Sequence, residues 1–419
     1  MSIKHNTKTY LPFLSFLLYL FPASLVLSTF VANTIVYLAS VSFFVFLIIE
    51  NKILILKKKI YFLFILFCFY ISIRSLFAEQ ILFSLKSSLT FVRYLFFILA
   101  VSFVVQNNKK FLYNFTKIFF WFFLILVLDA FLQYFYGTNI LGYDKNSIEN
   151  FRISGLFGTE LVLGSYLVRM GFLLIALVFL TKAKNANIKA LLLISAIGCL
   201  TFITGERSSF GLFVLGFFVF FICIQINTKL KIITIAALVA SIFIILSTNS
   251  GTFQRMITMT KQDLNTSNNI FLVTKGHGSH WKSAIKMFEN NKIFGQGSNM
   301  YRKLCDNPEY RISNSSCTTH PHNFYIQQLA ENGLIGFLFL IGFFLWILLV
   351  LIKNTYFILF KNKYLLNNFQ ICIYICCLIN FWPLTTSGNF FGSFLGNMYF
   401  LPLAFLINNS NLPKWNFSK

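Results

Sequence analysis

The stretch His320-Pro321-His322-Asn323, continuing as FYIQQLAENGLIGFLFL to Leu340, decides how the chain is read. It carries a long polar segment into an apolar run of spanning length, and it holds two of only five histidines. Proline suits the first turn of a helix, where its missing N–H would have no partner, so the pattern predicts His320 and His322 at a helix N-terminus. Free amides and the positive end of the macrodipole at such a place favour a bound anion and disfavour protonated imidazole. A histidine there stays neutral and able to accept a proton. Asn323, Gln327 and Glu331 recur every fourth residue, a polar stripe expected to lie along a membrane surface or line a cavity. Gly333 and Gly336 are then expected to introduce the true span and let another helix approach closely.

Working outward, 57% hydrophobic and 11% charged residues with a mean hydropathy of +0.73 exclude a soluble domain and indicate an all-α polytopic membrane protein. Apolar runs of spanning length fall at 10–32, 34–50, 60–77, 88–105, 111–136, 161–181, 188–204, 209–226, 231–248, 333–352, 368–384 and 389–407, about twelve spans. The first is too long for a signal-peptide core and is read as a retained span. The formal charge of +23 does not form a nucleic-acid patch, because the lysines punctuate the apolar runs.

Lys4 and Lys8, Lys52 and Lys57 to Lys59, Lys109 and Lys110, Lys182, Lys184 and Lys189, Lys229 and Lys231, Lys353, Lys361 and Lys363, and Lys414 and Lys419 all fall on alternate connections. The other connections carry only Lys86, Lys145, Arg152 and Arg207 where they are short. By the positive-inside rule both termini are expected in the cytoplasm of a bacterial inner-membrane protein. The chain then divides into spans 1–9 over residues 1–248, a long periplasmic loop over 249–321, and a periplasmic surface helix with spans 10–12 over 322–419.

Six cysteines lie in apolar runs, where a thiol acts as a small hydrophobe, and Cys376-Cys377 lacks the further ligands a zinc site needs. Cys305 and Cys317 fall in the exported loop, an oxidising setting, and are predicted to form a disulfide. Among the cations, Arg207 in Gly205-Glu206-Arg207-Ser208-Ser209 is expected at the outer boundary of the bilayer. It could grip a diphosphate bidentately, snorkel, or pair with Glu206. Arg74, Arg93 and Arg169 lie within spans. With Arg152, Lys86 and Arg302 they could form a positive funnel for an anionic headgroup, or each could instead pair with Asp129, Glu79 or backbone carbonyls. In the loop, Gly276-His277-Gly278-Ser279-His280-Trp281 leads into an amphipathic helix over 281–288, and Gly295 and Gly297 mark a turn that is not a nucleotide loop.

Taken together these motifs resemble the O-antigen ligase and polymerase superfamily of bacterial envelope glycosyltransferases. The likeness is carried by His320-Pro321-His322-Asn323 through Leu329, Glu331, Gly333 and Gly336. Trp281 and Ala284 before Phe294-Gly295 and Gly297 add to it, as do Arg207-Ser208 at a span junction and the run from Arg152 to Phe157. The resemblance implies the lipid-dependent membrane glycosyltransferase (GT-C-like) architecture. It also implies transfer of a glycan from undecaprenyl diphosphate to an acceptor sugar, the lipid A core for a ligase or a second lipid-linked glycan for a polymerase. By motif position His322 would be the base, Arg207 the diphosphate ligand and His320 a supporting or substitute base. Where relatives carry an arginine before the loop tryptophan this chain has His277 and His280, so Arg302 and Arg311 are further candidates for the diphosphate, with His280, Arg152 and Arg93. Glu331, Gly333, Gly336 and the Cys305–Cys317 pair are expected to be structural. The donor is already activated, so no metal or cofactor is expected, and no Asp-x-Asp motif is present. The rival readings are a flippase for the same lipid, which twelve spans would suit, and a non-enzymatic scaffold, which leaves the histidines unexplained.

Overall fold

The computed structural model describes residues 3–145, 152–266 and 275–409. Lys414 and Lys419, used above for orientation, and Glu149 lie outside them. The architecture is helical, and among the described residues the only β-type pairing is an isolated bridge between Thr138 and Asp144.

The bundle is made of α1 (Ile3–Leu27), α2 (Thr29–Ile49), α3 (Lys59–Ser75), α4 (Ile81–Phe91), α5 (Arg93–Asn107), α6 (Phe111–Tyr136), α7 (Leu163–Leu180), α8 (Ala186–Ile203), α9 (Arg207–Cys223) and α10 (Thr228–Thr248). Then come α11 (Ser250–Phe253), a π-helical turn over 254–258, α12 (Met259–Thr266), α13 (Lys275–Asn290) and α14 (Tyr301–Leu304). The long α15 (Phe324–Lys361), α16 (Asn368–Asn380) and α17 (Ser393–Asn409) complete the chain. Each apolar run of the sequence contains a helix, and among the described residues eight helical stretches are long and apolar enough to cross a membrane. The other four, α3, α9, α16 and α17, have 17, 17, 13 and 17 residues.

Several boundaries move for identifiable reasons. The run expected at 88–105 begins at Ile81, because α4 and α5 join into one 27-residue stretch whose serines are satisfied by hydrogen bonds, Ser84 to Ser75 and Ser87 from Asn299. Lys86 is therefore an exposed helical residue rather than part of a connection. The run expected at 389–407 begins only at Ser393, since 385–389 is a polar loop.

Hydropathy does not tell which helix is central. The most apolar windows of α7 and α10 are similarly hydrophobic, yet 83% of the first is buried and 11% of the second. What faces each helix makes the difference. Gly171 of α7 lies against Ile197 and Phe123, and Gly216 of α9 against Phe172 and Ile379, so backbones approach closely around α7. Glu206 then pins the end of this helix. Its carboxylate accepts the N–H groups of Gly164 and Ser165 at 2.7 and 3.0 Å and the hydroxyl of Ser209 at 2.9 Å, satisfying amides that the first turn of α7 leaves open.

A second, smaller core lies apart from the membrane core. Ala284 and Met287 of α13, Met300, Tyr301, Leu304, Cys305 and Tyr310 pack with Ala330 of α15 and Ala78. Cys305 and Cys317 are disulfide-bonded, with Cα atoms 5.0 Å apart. This cap is bolted to α15 where that helix breaks: Gly333 has φ 62° and ψ −163°, so the residues 324–332 form a separate short helix ahead of the long apolar one. The segment 291–299 fills the break, with Leu334 N–H donating to Lys292, Gly297 N–H to Glu331 and Gln296 N–H to Ala330. The Gly333 position is thus required by an approaching loop backbone, not by another helix. Gly336 likewise faces Asn332 and Gln328 of its own helix.

Candidate functional site

Four of the five histidines converge where the cap meets α15. The helix around His277 begins at Lys275, earlier than the amphipathic pattern suggests, so His277 and His280 are three apart on one helical face. Their rings lie 4.4 and 5.4 Å from that of His322, and His320 lies 4.3 Å from His322 on its other side. Ligand nitrogens of His277, His280 and His322 fall within 4.8 Å of one another. His280 is buried, with Nδ1 3.0 Å from the Ser316 carbonyl. A carbonyl can only accept, so Nδ1 carries the proton and the lone pair stays on Nε2. The Nδ1 of His320 is 2.9 Å from the Thr319 hydroxyl, while Nδ1 of His277 is buried without a hydrogen-bond partner among the described residues.

Burial is the first cause that lowers His322, His320 and His277. His322 is lowered to about 3 by burial, then by His320, His277 and His280. His320 is lowered to about 4 by burial, then by the charge of Arg302 and by His277 and His280. His277 is lowered by burial and by His280.

The helix opening differs from expectation. Pro321 lies ahead of α15 rather than in its first turn, and Asn323 caps the helix: its Oδ1 accepts from Tyr325 N–H at 2.9 Å and Ile326 N–H at 3.1 Å, while Ser387 Oγ accepts from Phe324 N–H at 2.9 Å. A carboxamide that satisfies two amides at once outweighs the preference of proline for the first turn. The free-amide anion site expected there therefore does not exist; the amides are spent on side chains. What the opening does provide is a fixed His322, held at φ 57° with its carbonyl accepting Ser387 N–H. A left-handed conformation in a non-glycine residue costs about 1 kcal/mol and needs such over-determination.

The polar stripe is buried structure rather than a surface face. Glu331 accepts Asn299 N–H at 2.8 Å, Tyr301 N–H at 3.0 Å and Gln327 Nε2 at 3.1 Å. Gln327 also donates to Asn389 and accepts Phe390 N–H, so the 385–392 loop is tied in. Phe390 continues into an apolar cavity of 580 Å³ between α3, α5, α15 and α17, lined by Phe64, Phe67, Phe91, Phe339 and Trp346 among others.

The arginines separate into three settings. Arg302 is exposed beside the histidines, donating from Nε to the Thr319 carbonyl at 3.2 Å. Arg207 opens α9 and pairs with Asp263 at 2.8 Å, not with Glu206, whose carboxylate is committed to α7. Around Gly205 it is joined by Arg152, which donates to the Leu161 carbonyl, and by Arg255, which donates to the Gly205 carbonyl. The remaining arginines serve the fold. Arg93 is buried against Tyr37 and Tyr94 and donates to the Thr90 carbonyl; Arg74 donates to the carbonyls of Phe294 and Gly295; Arg169 donates to Ser165. Asp129, a suggested ion-pair partner, instead accepts Ile140 N–H. Arg311 sits at the exposed rim with Asn314 and Asp306. Of the residues suggested as a positive funnel, Arg74, Arg93 and Arg169 are held by internal hydrogen bonds, Lys86 is exposed on α4, Arg302 lies beside the histidines and Arg152 lies at Gly205. Arg255 and His277 were not among the predicted site residues. His277 had a signal in its i, i+3 spacing from His280; Arg255 had none.

No curated protein matches the chain. Residues 190–341 match the family model described as O-antigen ligase, a span that contains Arg207, Arg255, the whole cap, the four clustered histidines and the Gly333 break. Over that span the chain is similar to the O-antigen ligase family, in agreement with the superfamily resemblance read from its sequence motifs.

Proposed function

We propose that the chain is a glycosyltransferase that moves a glycan from undecaprenyl diphosphate to an acceptor sugar of the lipid A core on the periplasmic face of the inner membrane. The observation that carries this reading is the neutral, rigidly held His322 at the end of the bundle where the apolar cavity approaches the polar stripe. A polyprenyl chain suits a cavity walled by Phe64, Phe91 and Phe390.

In the reaction, the acceptor hydroxyl oxygen bonds to the anomeric carbon of the donor as the bond from that carbon to the diphosphate oxygen breaks. The hydroxyl proton passes to His322, and undecaprenyl diphosphate leaves carrying the electron pair. A base lowered to about 3 is weak by itself, but the diphosphate brings negative charge beside it and stabilises the imidazolium as it forms. His320 stands next to it as a supporting base, and no step calls for a metal. Arg302 supplies a cation beside the histidines. Arg207 reaches a diphosphate by exchanging Asp263 for a more highly charged partner, with Arg152 and Arg255 around the same turn. His280, Arg311 and Arg93 rank below these as diphosphate ligands, since His280 is tied to Ser316, Arg311 to the rim and Arg93 to its tyrosines.

In a transfer assay with purified chain and lipid-linked donor, His322→Ala is expected to lose about 10²–10⁴-fold in rate. Full transfer by both His322→Ala and Arg207→Ala would remove the assignment. Surface polysaccharide from cells lacking the gene distinguishes the acceptors: bare core with polymer still built on carrier lipid marks a ligase, and core bearing a single repeat marks a polymerase.

A further inference from the structure

Three imidazoles from two separate elements converge on one point, which a lone base does not require. The nitrogens of His277, His280 and His322 lie within 4.8 Å of one another, so some point is no more than about 2.8 Å from all three, and closing to the 2.0–2.1 Å of a zinc–nitrogen bond takes at most roughly 0.7 Å per ring. Side-chain rotation of that size leaves the backbone in place. His280 already has the arrangement of a metal ligand, one ring nitrogen held by a backbone carbonyl and the other carrying its lone pair. His277 brings a buried Nδ1 with no hydrogen-bond partner among the described residues. Three imidazole nitrogens on two supports, α13 and the capped opening of α15, leave further coordination positions for water or for His320, whose ring is 4.3 Å from that of His322.

We propose that His277, His280 and His322 form a binding site for a divalent transition-metal ion of the zinc class. Imidazole donors suit zinc, copper and nickel, and a three-histidine set without carboxylate or thiolate excludes magnesium and calcium, which take oxygen ligands. The site goes beyond the transfer reading and does not depend on it. Its consequence for transfer does rest on that reading: a nitrogen bound to the metal cannot also take the acceptor proton, so the ion would act as an inhibitor that occupies the base.

The test uses the full chain in detergent, freed of metal and titrated with Co²⁺ as the spectroscopic stand-in for zinc. Wild type is expected to develop the visible absorption of a nitrogen-bound cobalt centre at one equivalent and to lose it when Zn²⁺ is added. His277→Gln removes one ligand and no hydrogen bond; it is expected to bind at least ten-fold more weakly while keeping the metal-free melting temperature of wild type. The double variant His277→Gln/His280→Gln should give no centre, whereas His5→Gln should behave as wild type. Zn²⁺ should also raise the melting temperature of wild type but not of His277→Gln. Absence of the cobalt spectrum in wild type, or its full retention in the double variant, overturns the site whatever the transfer assay shows. A cobalt or zinc centre that forms while transfer continues undiminished leaves the site standing and removes His322 as the base.

Discussion

Gly171, inside α7, and Gly333, at the break in α15, both occupy places where a Cβ atom would collide, but with different things. At Gly171 the added carbon meets Ile197, 2.5 Å from Cδ1 and 2.9 Å from Cγ1. At Gly333 it meets the backbone: Ile293 O at 2.2 Å, Ile293 C at 2.4 Å and Phe294 N at 2.6 Å. The bundle is packed by interchangeable side-chain volume, whereas the cap is seated by main-chain groups that have no alternative position. The clustered histidines lie in the region of the second kind, where a small displacement cannot be absorbed, whereas Arg207 opens α9 of the bundle.

The sharpest way to break this contrast is Gly333→Ala. Its backbone angles belong essentially to glycine, and the new carbon must push the 291–295 segment off the helix. The expected loss of cap stability is on the order of 4 kcal/mol or more. Limited proteolysis of the native protein reads it directly: cleavage within the cap should become rapid while the bundle stays intact. A variant as resistant as wild type would mean that the cap is not seated through this break.

Glu331→Ala comes next. It leaves the N–H groups of Asn299 and Tyr301 and the amide of Gln327 without their buried acceptor, a cost of about 3 kcal/mol. Glu331→Gln keeps one acceptor oxygen and should lose about half as much. Hydrogen exchange at Asn299 and Tyr301 is the measurement; unchanged protection in the alanine variant would show that these amides are satisfied elsewhere.

Legibility divides along the same line. The bundle could be read because spanning runs of Phe, Leu and Ile leave the backbone only the helix as a way to satisfy itself in lipid. Which helix would be central could not be read, since α7 and α10 have similar hydropathy and differ only in what faces them. In the cap, the Cys305–Cys317 pairing could be read and is present, whereas Glu331 and Gly333 were visible as special residues but their partners were not. Gly333 makes room for a loop rather than a helix, and Glu331 reaches back to Asn299 and Tyr301. Pro321 was read as the first turn of the helix, and only geometry shows that the helix starts after Asn323, whose side chain reaches two amides. Residues 385–388 were left as a connection between two spans, but nothing local showed that Ser387 within it holds both Phe324 and His322. The meeting of His277 with His322 depends on how α13 lies against α15, a tertiary fact without a local trace.

The smallest expected effect is the counterpart of the first. Gly171→Ala gains about 1 kcal/mol of helix propensity, and the overpacking against Ile197 costs roughly 1–3 kcal/mol, so the net loss should be about 1 kcal/mol. The collision is with a side chain, so it can be relieved there: Ile197→Val removes the Cδ1 that comes nearest the new methyl. The double variant should therefore melt closer to wild type than Gly171→Ala does, a coupling of opposite sign to the single costs. No side-chain change offers equivalent relief at Gly333, because its collisions are with Ile293 O, Ile293 C and Phe294 N, which every residue carries. If thermal melting found Gly171→Ala as damaging as Gly333→Ala, or found no rescue by Ile197→Val, the bundle would share the rigidity of the cap. Precision around His322 would then have to come from the whole molecule rather than from the cap's own backbone seating.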